Sequence, residues 1–254
     1  MSDLGVQPAA DLTPGLSQWQ RVISTFSAPS KTFEDIKKGH RSWWLPFLIT
    51  MLFFAIFFVA VTSRVTWKQV ADNNQKNMPE FAKRMMERMP PEQRAEQERR
   101  APVSAEVTAL FTPVGILFID LIAAGVLLAT INFGFGGKAK FGSVFAVVLY
   151  AGLLMWPARY LLAVIAIYAG DPEVFNINNP APTNVGAFFP QQDIPMSLYM
   201  FLSQLDIFSI WCMVVTAIGI AMVAGVKRTS GYIAVFGWWV IVLLLFTGLG
   251  AVMG

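Results

Sequence analysis

The run FGSVFAVVLYAGLLMWPARYLLAVIAIY, residues 141–168, decides the fold class of this chain. It holds one charged residue, Arg159, and a helix needs about 20 mostly apolar residues to cross the hydrocarbon core of a bilayer. Similar apolar runs lie at residues 45–63, 108–131, 199–225 and 232–253. Such runs are too long and continuous for barrel strands, which leaves the helix as the structure that satisfies its backbone polar groups in lipid. The sequence therefore predicts an all-α, polytopic integral membrane protein with five transmembrane helices.

The composition supports a membrane location. Of the 254 residues, 55% are apolar and 14% are charged, and the mean hydropathy is +0.54. These values lie outside the range of ordinary soluble domains. The single cysteine, Cys212, lies in the fourth apolar run, so an internal disulfide is excluded. The first 42 residues contain no apolar core, and we therefore expect the first span to act as an uncleaved insertion signal.

Basic residues are unevenly distributed among the links between the predicted spans. The segment before the first span and the links 132–140 and 226–231 carry Lys and Arg, whereas the link 169–198 carries none. The positive-inside rule then predicts a cytoplasmic N-terminus and an external C-terminus. The stretch 64–106 is the exception, because it would be external and yet holds nine Lys or Arg residues. It also holds seven Asp or Glu residues, and at its length the rule weakens.

The chain is expected to divide into three parts: a disordered tail at residues 1–17, a cytoplasmic interfacial amphipathic segment at 18–42, and a five-span membrane domain at 43–253. This domain would include an external helical loop at 64–106, interrupted by Pro90 and Pro91, and a second external loop at 169–198.

The segment 18–42 contains two helix candidates. In the first, apolar residues recur at the spacing of one helix face, namely Trp19, Val22, Ile23 and Phe26. Thr32, with Asp35 three residues later, is a capping signal for the second helix. A basic amphipathic segment beside a membrane is typical of a helix that lies in the interface. Packing of the segment against the spans is the alternative that the pattern leaves open.

Three ionisable residues lie within the predicted spans: Asp120, Arg159 and Asp206. Charged groups are costly in lipid, so such residues are candidates for function and are expected to face the bundle interior or one another. From the helix rise, Arg159 and Asp206 lie about 13 Å and about 10 Å below the outer ends of their spans, and Asp120 lies about 18 Å below. We therefore predict that Arg159 and Asp206 form an ion pair. A purely structural ion pair that joins two spans is one interpretation, and a polar path through the membrane is the other.

Enzyme signatures are absent from the sequence. His40 is the only histidine, which excludes a Ser–His pair within the membrane or a multi-histidine zinc site. The methionines of the stretch 64–106 have no neighbouring His or Cys, so they predict packing and not a metal site. No cofactor-binding motif or basic surface for nucleic acid is found. We predict no catalytic activity, no cofactor and no nucleic-acid partner.

An ordered set of short motifs resembles a known family. The set is FSAPSKTFEDI at 26–36, WWLP at 43–46, FGGKAKF at 135–141, LDIFSIW at 205–211 and AIGI at 217–220. On a five-span frame this order is similar to the bacterial branch of the Yip (Ypt-interacting protein) domain family, over about residues 18–253. The resemblance implies a five-span bundle with a cytoplasmic N-terminus in the bacterial inner (plasma) membrane.

The resemblance also has implications for partners. Eukaryotic members of the family bind small prenylated GTPases in vesicle traffic, but this chain lacks a long acidic N-terminus and adds an external loop of about 40 residues. These departures leave GTPase binding doubtful. Two hypotheses follow. The protein organises membrane partners or membrane shape, with the bilayer and a membrane protein or a second copy as partners. Alternatively, it is a permease or channel-like protein that uses Asp120, Arg159 and Asp206.

Overall fold

The computed structural model describes residues 15–189 and 191–253, and its regular structure in these residues is helical. The helices in the described residues are α1 Gln18–Ser27, α2 Pro29–Lys37, α3 Trp44–Ala60, α4 Trp67–Lys76, α5 Glu80–Glu87, α6 Pro91–Ala129, α7 Phe141–Gly152, α8 Trp156–Ala169, α9 Met196–Gln204, α10 Ile207–Ala224 and α11 Arg228–Met253. Two π-helical turns, Val61–Val65 and Thr130–Gly134, extend α3 and α6.

Five helical segments of the described chain are long and apolar enough to cross a membrane, which confirms the predicted all-α, five-span class. They are Trp44–Val65, Pro91–Gly134, Phe141–Ala169, Ile207–Ala224 and Arg228–Ala251. The third span is the most deeply buried of the five, and the second and fifth are the least. The third span is therefore the centre of the bundle.

The third span contains a break just before its proline, Pro157. Residues 153–155 form turns between α7 and α8, and Pro157 lies in the first turn of α8. A proline has no N–H, and its ring clashes with the carbonyl four residues earlier, here that of Leu153. The break therefore begins at the residue whose carbonyl the proline ring excludes from a regular helix.

The second span is the membrane end of a much longer helix. The helix α6 has 39 residues, which corresponds to about 58 Å, whereas the hydrocarbon core is about 30 Å thick. Its N-terminal half therefore projects beyond the bilayer. The predicted interruption is confirmed, since α5 ends at Glu87 and α6 begins at Pro91, with Pro90 as its N-cap. Proline is favourable in this first turn because the N–H it lacks would have no helical partner there.

The fourth span is shorter than predicted. The run 199–225 is divided between α9 and α10, with a break at Leu205 and Asp206. The apolar composition continues across the break, so hydropathy alone could not reveal it. The helix α9 packs against α11 and does not continue the line of α10.

The buried apolar residues form two clusters. In the first, α2, α7 and α10 meet around the fully buried Phe33, Tyr150 and Ile220. In the second, α3 and α8 meet around Phe57 and Tyr160, with α4 and α6 beside them. The third span joins the two clusters, because α7 belongs to the first and α8 to the second.

The N-terminal segment packs on the bundle through α2. Phe33 and Ile36 of α2 are fully buried against α7 and α10, so the packed alternative holds for this helix. The predicted cap at Thr32 is wrong: α2 begins at Pro29, and Thr32 is buried inside it. The predicted disordered tail falls largely on residues 1–14, which lie outside the described residues. Ser17, at its end, is the N-cap of α1.

Candidate functional site: a cavity between α4, α6 and α8

The structure places Asp206 at the start of the fourth span. It is the N-cap of α10, where its carboxylate accepts a hydrogen bond of 2.8 Å from the backbone N–H of Ser209 and another from the hydroxyl of Thr183. A carboxylate at this position also interacts favourably with the helix dipole. Because Thr183 belongs to the loop 169–198, Asp206 ties that loop to α10.

The predicted ion pair between Arg159 and Asp206 is wrong. Both carboxylate oxygens of Asp206 accept the hydrogen bonds just described, and no ion pair joins it to Arg159 in the described chain. The estimate from helix rise gave similar depths for the two residues, but equal depth does not turn two side chains towards each other.

Asp120 lies in a third environment. It is half-buried on α6, and its side chain makes no hydrogen bond or ion pair with any described residue. It lies close enough to the thiol of Cys212 on α10 for an electrostatic interaction. It does not line the cavity that Arg159 lines. The structure therefore does not bring the three predicted residues, Asp120, Arg159 and Asp206, into one polar path.

Arg159 lines a cavity of about 1360 Å³. The walls come from α3, α4, α6 and α8, and from the loop around Asn178. On α6 the lining extends from Glu92 to Thr112, a distance of about 30 Å along the helix. The cavity is thus an elongated cleft that runs from the membrane-spanning part of the bundle to its projecting end.

The cleft exists because α6 turns small side chains towards it. Residues three and four apart share one face of a helix. The small residues of α6 that line the cleft are Ala101, Ser104, Ala105, Thr108, Ala109 and Thr112. Bulkier apolar residues lie on the opposite, exposed face, among them Val103, Leu110 and Val114. The helix therefore separates an open internal cleft from an outer surface suited to lipid.

An aromatic wall lies beside Arg159. Tyr160 has its ring centroid 5.6 Å from that of Phe54, 5.5 Å from that of Phe57 and 6.1 Å from that of Trp156. All four rings line the cleft. The membrane end of the cleft is therefore largely aromatic, and the guanidinium of Arg159 lies beside this wall.

The charges that line the cleft are divided between its two ends. At the projecting end, Lys68 pairs with Asp72 at 3.0 Å, and Arg100 pairs with Glu96 at 2.5 Å. Arg159, at the membrane end, is half-buried, and its side chain makes no hydrogen bond or ion pair with any residue that the structure describes. It is the cation of the cleft that the described chain leaves without a counter-charge.

A second polar cluster, which sequence reasoning missed, joins α1 and α2 to the bundle. Arg21 donates to Asp35 at 2.7 Å and to the hydroxyl of Tyr150 at 3.0 Å. Tyr150 in turn donates to the carbonyl of Ser42 at 3.1 Å, and His40 lies 2.9 Å from Asp35. Arg21, Asp35 and Tyr150 are buried. Only the spacing of Arg21 and Thr25 on one face of α1 could have indicated a buried polar side of that helix.

The electrostatics of this cluster favour the charged arginine. Burial acts against the charge of Arg21, but its hydrogen bonds to Tyr150 and Asp35 outweigh burial and raise its pKa. Arg21 and Asp35 therefore form a buried, hydrogen-bonded ion pair beside Tyr150 of α7.

The other face of α1 is apolar and exposed. Trp19 is 62% exposed, Ile23 65% and Phe26 48%, whereas Val22 is buried against the bundle. Of the predicted apolar face, one residue packs inwards and three point away from the protein.

Residues 23–249 match the family model described as the Yip1 domain. Neither the comparison with curated proteins nor the comparison with solved structures gives a match.

Proposed function

Because the match over residues 23–249 shows that this chain belongs to the Yip1 domain family, we propose that it is a non-enzymatic membrane protein that organises membrane partners or membrane shape. The observation that carries the proposal is the exposed apolar face of α1, formed by Trp19, Ile23 and Phe26. We call these three residues the α1 apolar face.

The α1 apolar face has the properties of an interfacial anchor. An amphipathic helix beside a bilayer lies in the interface plane with its apolar face about 5–10 Å below the headgroups, and Trp is enriched at that level. The indoles of Trp43 and Trp44, at the start of the first span, are also partly exposed. This proposal places the segment 18–42 in the cytoplasmic interface while α2 packs on the spans.

The attachment of α1 to the bundle makes it a rigid wedge in this proposal. Arg21 lies on the buried side of α1 and is hydrogen-bonded to both Asp35 and Tyr150. A helix that is fixed at a constant depth expands one leaflet and not the other, which favours curvature. A helix on a flexible tether could tilt or leave the membrane, and the shape of the membrane would then not change.

The permease alternative receives no comparable support. It requires Asp120, Arg159 and Asp206 to line one path, and the three residues lie in separate environments. We therefore retain the organising role, with the bilayer and either a membrane protein or a second copy of the chain as partners. The proposed location is the bacterial inner membrane.

The test compares vesicles that contain the full-length protein. The triple variant Trp19→Ser, Ile23→Ser, Phe26→Ser removes the apolar face and leaves the buried side of α1 unchanged. Reconstituted into liposomes of one composition, the wild type is expected to give smaller or more tubular vesicles than this variant by electron cryomicroscopy.

The matched control is Trp19→Phe, Ile23→Leu, Phe26→Leu, which keeps the face apolar and should behave like the wild type. If the serine variant is folded, shapes vesicles as the wild type does and retains the same co-purifying proteins, the proposed role of α1 is wrong.

A further inference from the structure

We propose that the cleft between α4, α6 and α8 binds an anionic membrane amphiphile, whose phosphate or carboxylate is held by Arg159. This inference goes beyond the proposed function, since the cleft is separate from the α1 apolar face. It rests on the position of Arg159, the chemistry of the adjoining wall and the size of the space.

The first argument is the missing counter-charge. A cation within the membrane is costly unless it is paired or lines a water-filled space. Neither acidic residue of the predicted spans supplies a counter-charge for Arg159, because Asp206 caps α10 and Asp120 does not line the cleft. The guanidinium of Arg159 makes no hydrogen bond or ion pair with any described residue. A bound anion would supply the missing charge, and the planar guanidinium fits the two oxygens of a phosphate or carboxylate.

The second argument is depth. The third span is broken at residues 153–155, so the depth of Arg159 is counted along α8 alone, which ends at Ala169. The backbone of Arg159 lies about 15 Å before that end, within the membrane-spanning part of the helix. Its long side chain can reach towards the boundary, where lipid headgroups join their chains.

The third argument is the wall beside the guanidinium. Phe54, Phe57 and Tyr160 border the cleft but are buried against one another, and the ring that stays partly exposed beside them is that of Trp156. An acyl chain would cover the exposed part of Trp156, which a soluble anion would leave in contact with water. A volume of about 1360 Å³ also exceeds the roughly 300–1000 Å³ typical of small-molecule sites, and it leaves room for a headgroup and part of a chain.

The experiment measures lipid binding to the delipidated full-length protein by native mass spectrometry. The probes are dioleoyl phosphatidylglycerol, oleate, neutral dioleoylglycerol and inorganic phosphate. We expect phosphatidylglycerol or oleate to bind, and Arg159→Gln to weaken that binding about tenfold or more. Arg159→Lys keeps the positive charge but loses the planar guanidinium that can bind two oxygens at once. Its affinity for the lipid should therefore lie between those of the wild type and Arg159→Gln.

Two further variants separate charge from space. Arg64→Gln removes an exposed arginine at the end of the first span that does not line the cleft, and it should bind as the wild type does. Thr108→Phe fills the cleft and keeps Arg159, and it should also lose the lipid. Circular dichroism verifies that each variant is folded, and Thr108→Phe serves as the test if Arg159→Gln is not.

Three results would each overturn the proposal. The first is equal phosphatidylglycerol binding by the wild type and a folded Arg159→Gln or Thr108→Phe. The second is equal binding of phosphatidylglycerol and dioleoylglycerol, which would exclude an anion site. The third is displacement of the lipid by inorganic phosphate at similar concentration, which would indicate a soluble anion. None of these results depends on vesicle shape or on the α1 apolar face.

Discussion

At the scale of single residues, a buried ion pair attaches the N-terminal helices to the bundle. Arg21 and Asp35 are both buried and 2.7 Å apart, and the guanidinium of Arg21 also donates a hydrogen bond to the hydroxyl of Tyr150. A buried ion pair contributes little net stability when both charges are present, but the loss of one partner leaves the other without compensation. The pair therefore acts mainly to define one position for α1 and α2.

We expect Arg21→Ala to lower the free energy of unfolding by about 3–5 kcal/mol, because it leaves the carboxylate of Asp35 buried without a cation. The double variant Arg21→Ala, Asp35→Ala removes both charges and should recover part of that loss. Denaturant unfolding in detergent, followed by circular dichroism, measures both.

Lys37→Ala, at an exposed position of α2, is the control and should change stability little. If the double variant is less stable than Arg21→Ala by the full effect of Asp35→Ala alone, the two side chains are not coupled and this interpretation fails.

At the scale of helices, close packing depends on particular small residues. A Cβ added at Gly219 of α10 would lie 2.5 Å from a methyl group of Val147 and 3.0 Å from the ring of Phe33. A Cβ added at Gly125 of α6 would meet nothing within 4 Å. Hydropathy and residue size do not reveal which small residue faces a neighbouring helix.

Gly219→Ala is expected to destabilise the protein by about 1–3 kcal/mol, since the added methyl overpacks the contact among α2, α7 and α10. Thermal unfolding of the purified protein in detergent measures the change.

The matched variant, Gly125→Ala, makes the same chemical change in open space and should be neutral or slightly stabilising, because alanine favours the helix. Equal effects of the two substitutions would contradict the contact at Gly219.

At the scale of the whole molecule, the bundle is divided along the third span. The break before Pro157 allows α7 to pack in one cluster with α2 and α10, and α8 to pack in the other with α3. The first cluster lies on the side of the N-terminal helices, and the second lies on the side of α4 and α5. The Arg21–Asp35 ion pair therefore lies beside the first cluster, and the cleft at Arg159 lies beside the second.

The proposed orientation can be tested in intact cells with a membrane-impermeant maleimide. In a background with Cys212→Ala, Gln93→Cys on the projecting part of α6 should be labelled before permeabilisation. Lys138→Cys, in the link after the second span, should be labelled only afterwards, because that link is predicted to be cytoplasmic.

Both positions are exposed in the folded protein, so a difference in labelling reports the side of the membrane. Labelling of Lys138→Cys in intact cells would show that the predicted topology is wrong.

The sequence by itself determined the helical membrane class, the five spans, the interruption at Pro90–Pro91, and the family. These properties depend on apolar length, on local proline chemistry and on the order of motifs, all of which lie along the chain. Only the tertiary structure decided which polar groups meet. Arg21 and Tyr150 are 129 residues apart, and their contact depends on how α1 and the third span are rotated towards each other. The rotation of α8 likewise points Arg159 into a cleft, because periodicity along one helix does not specify the facing residue on its neighbour. Asp206 instead caps α10.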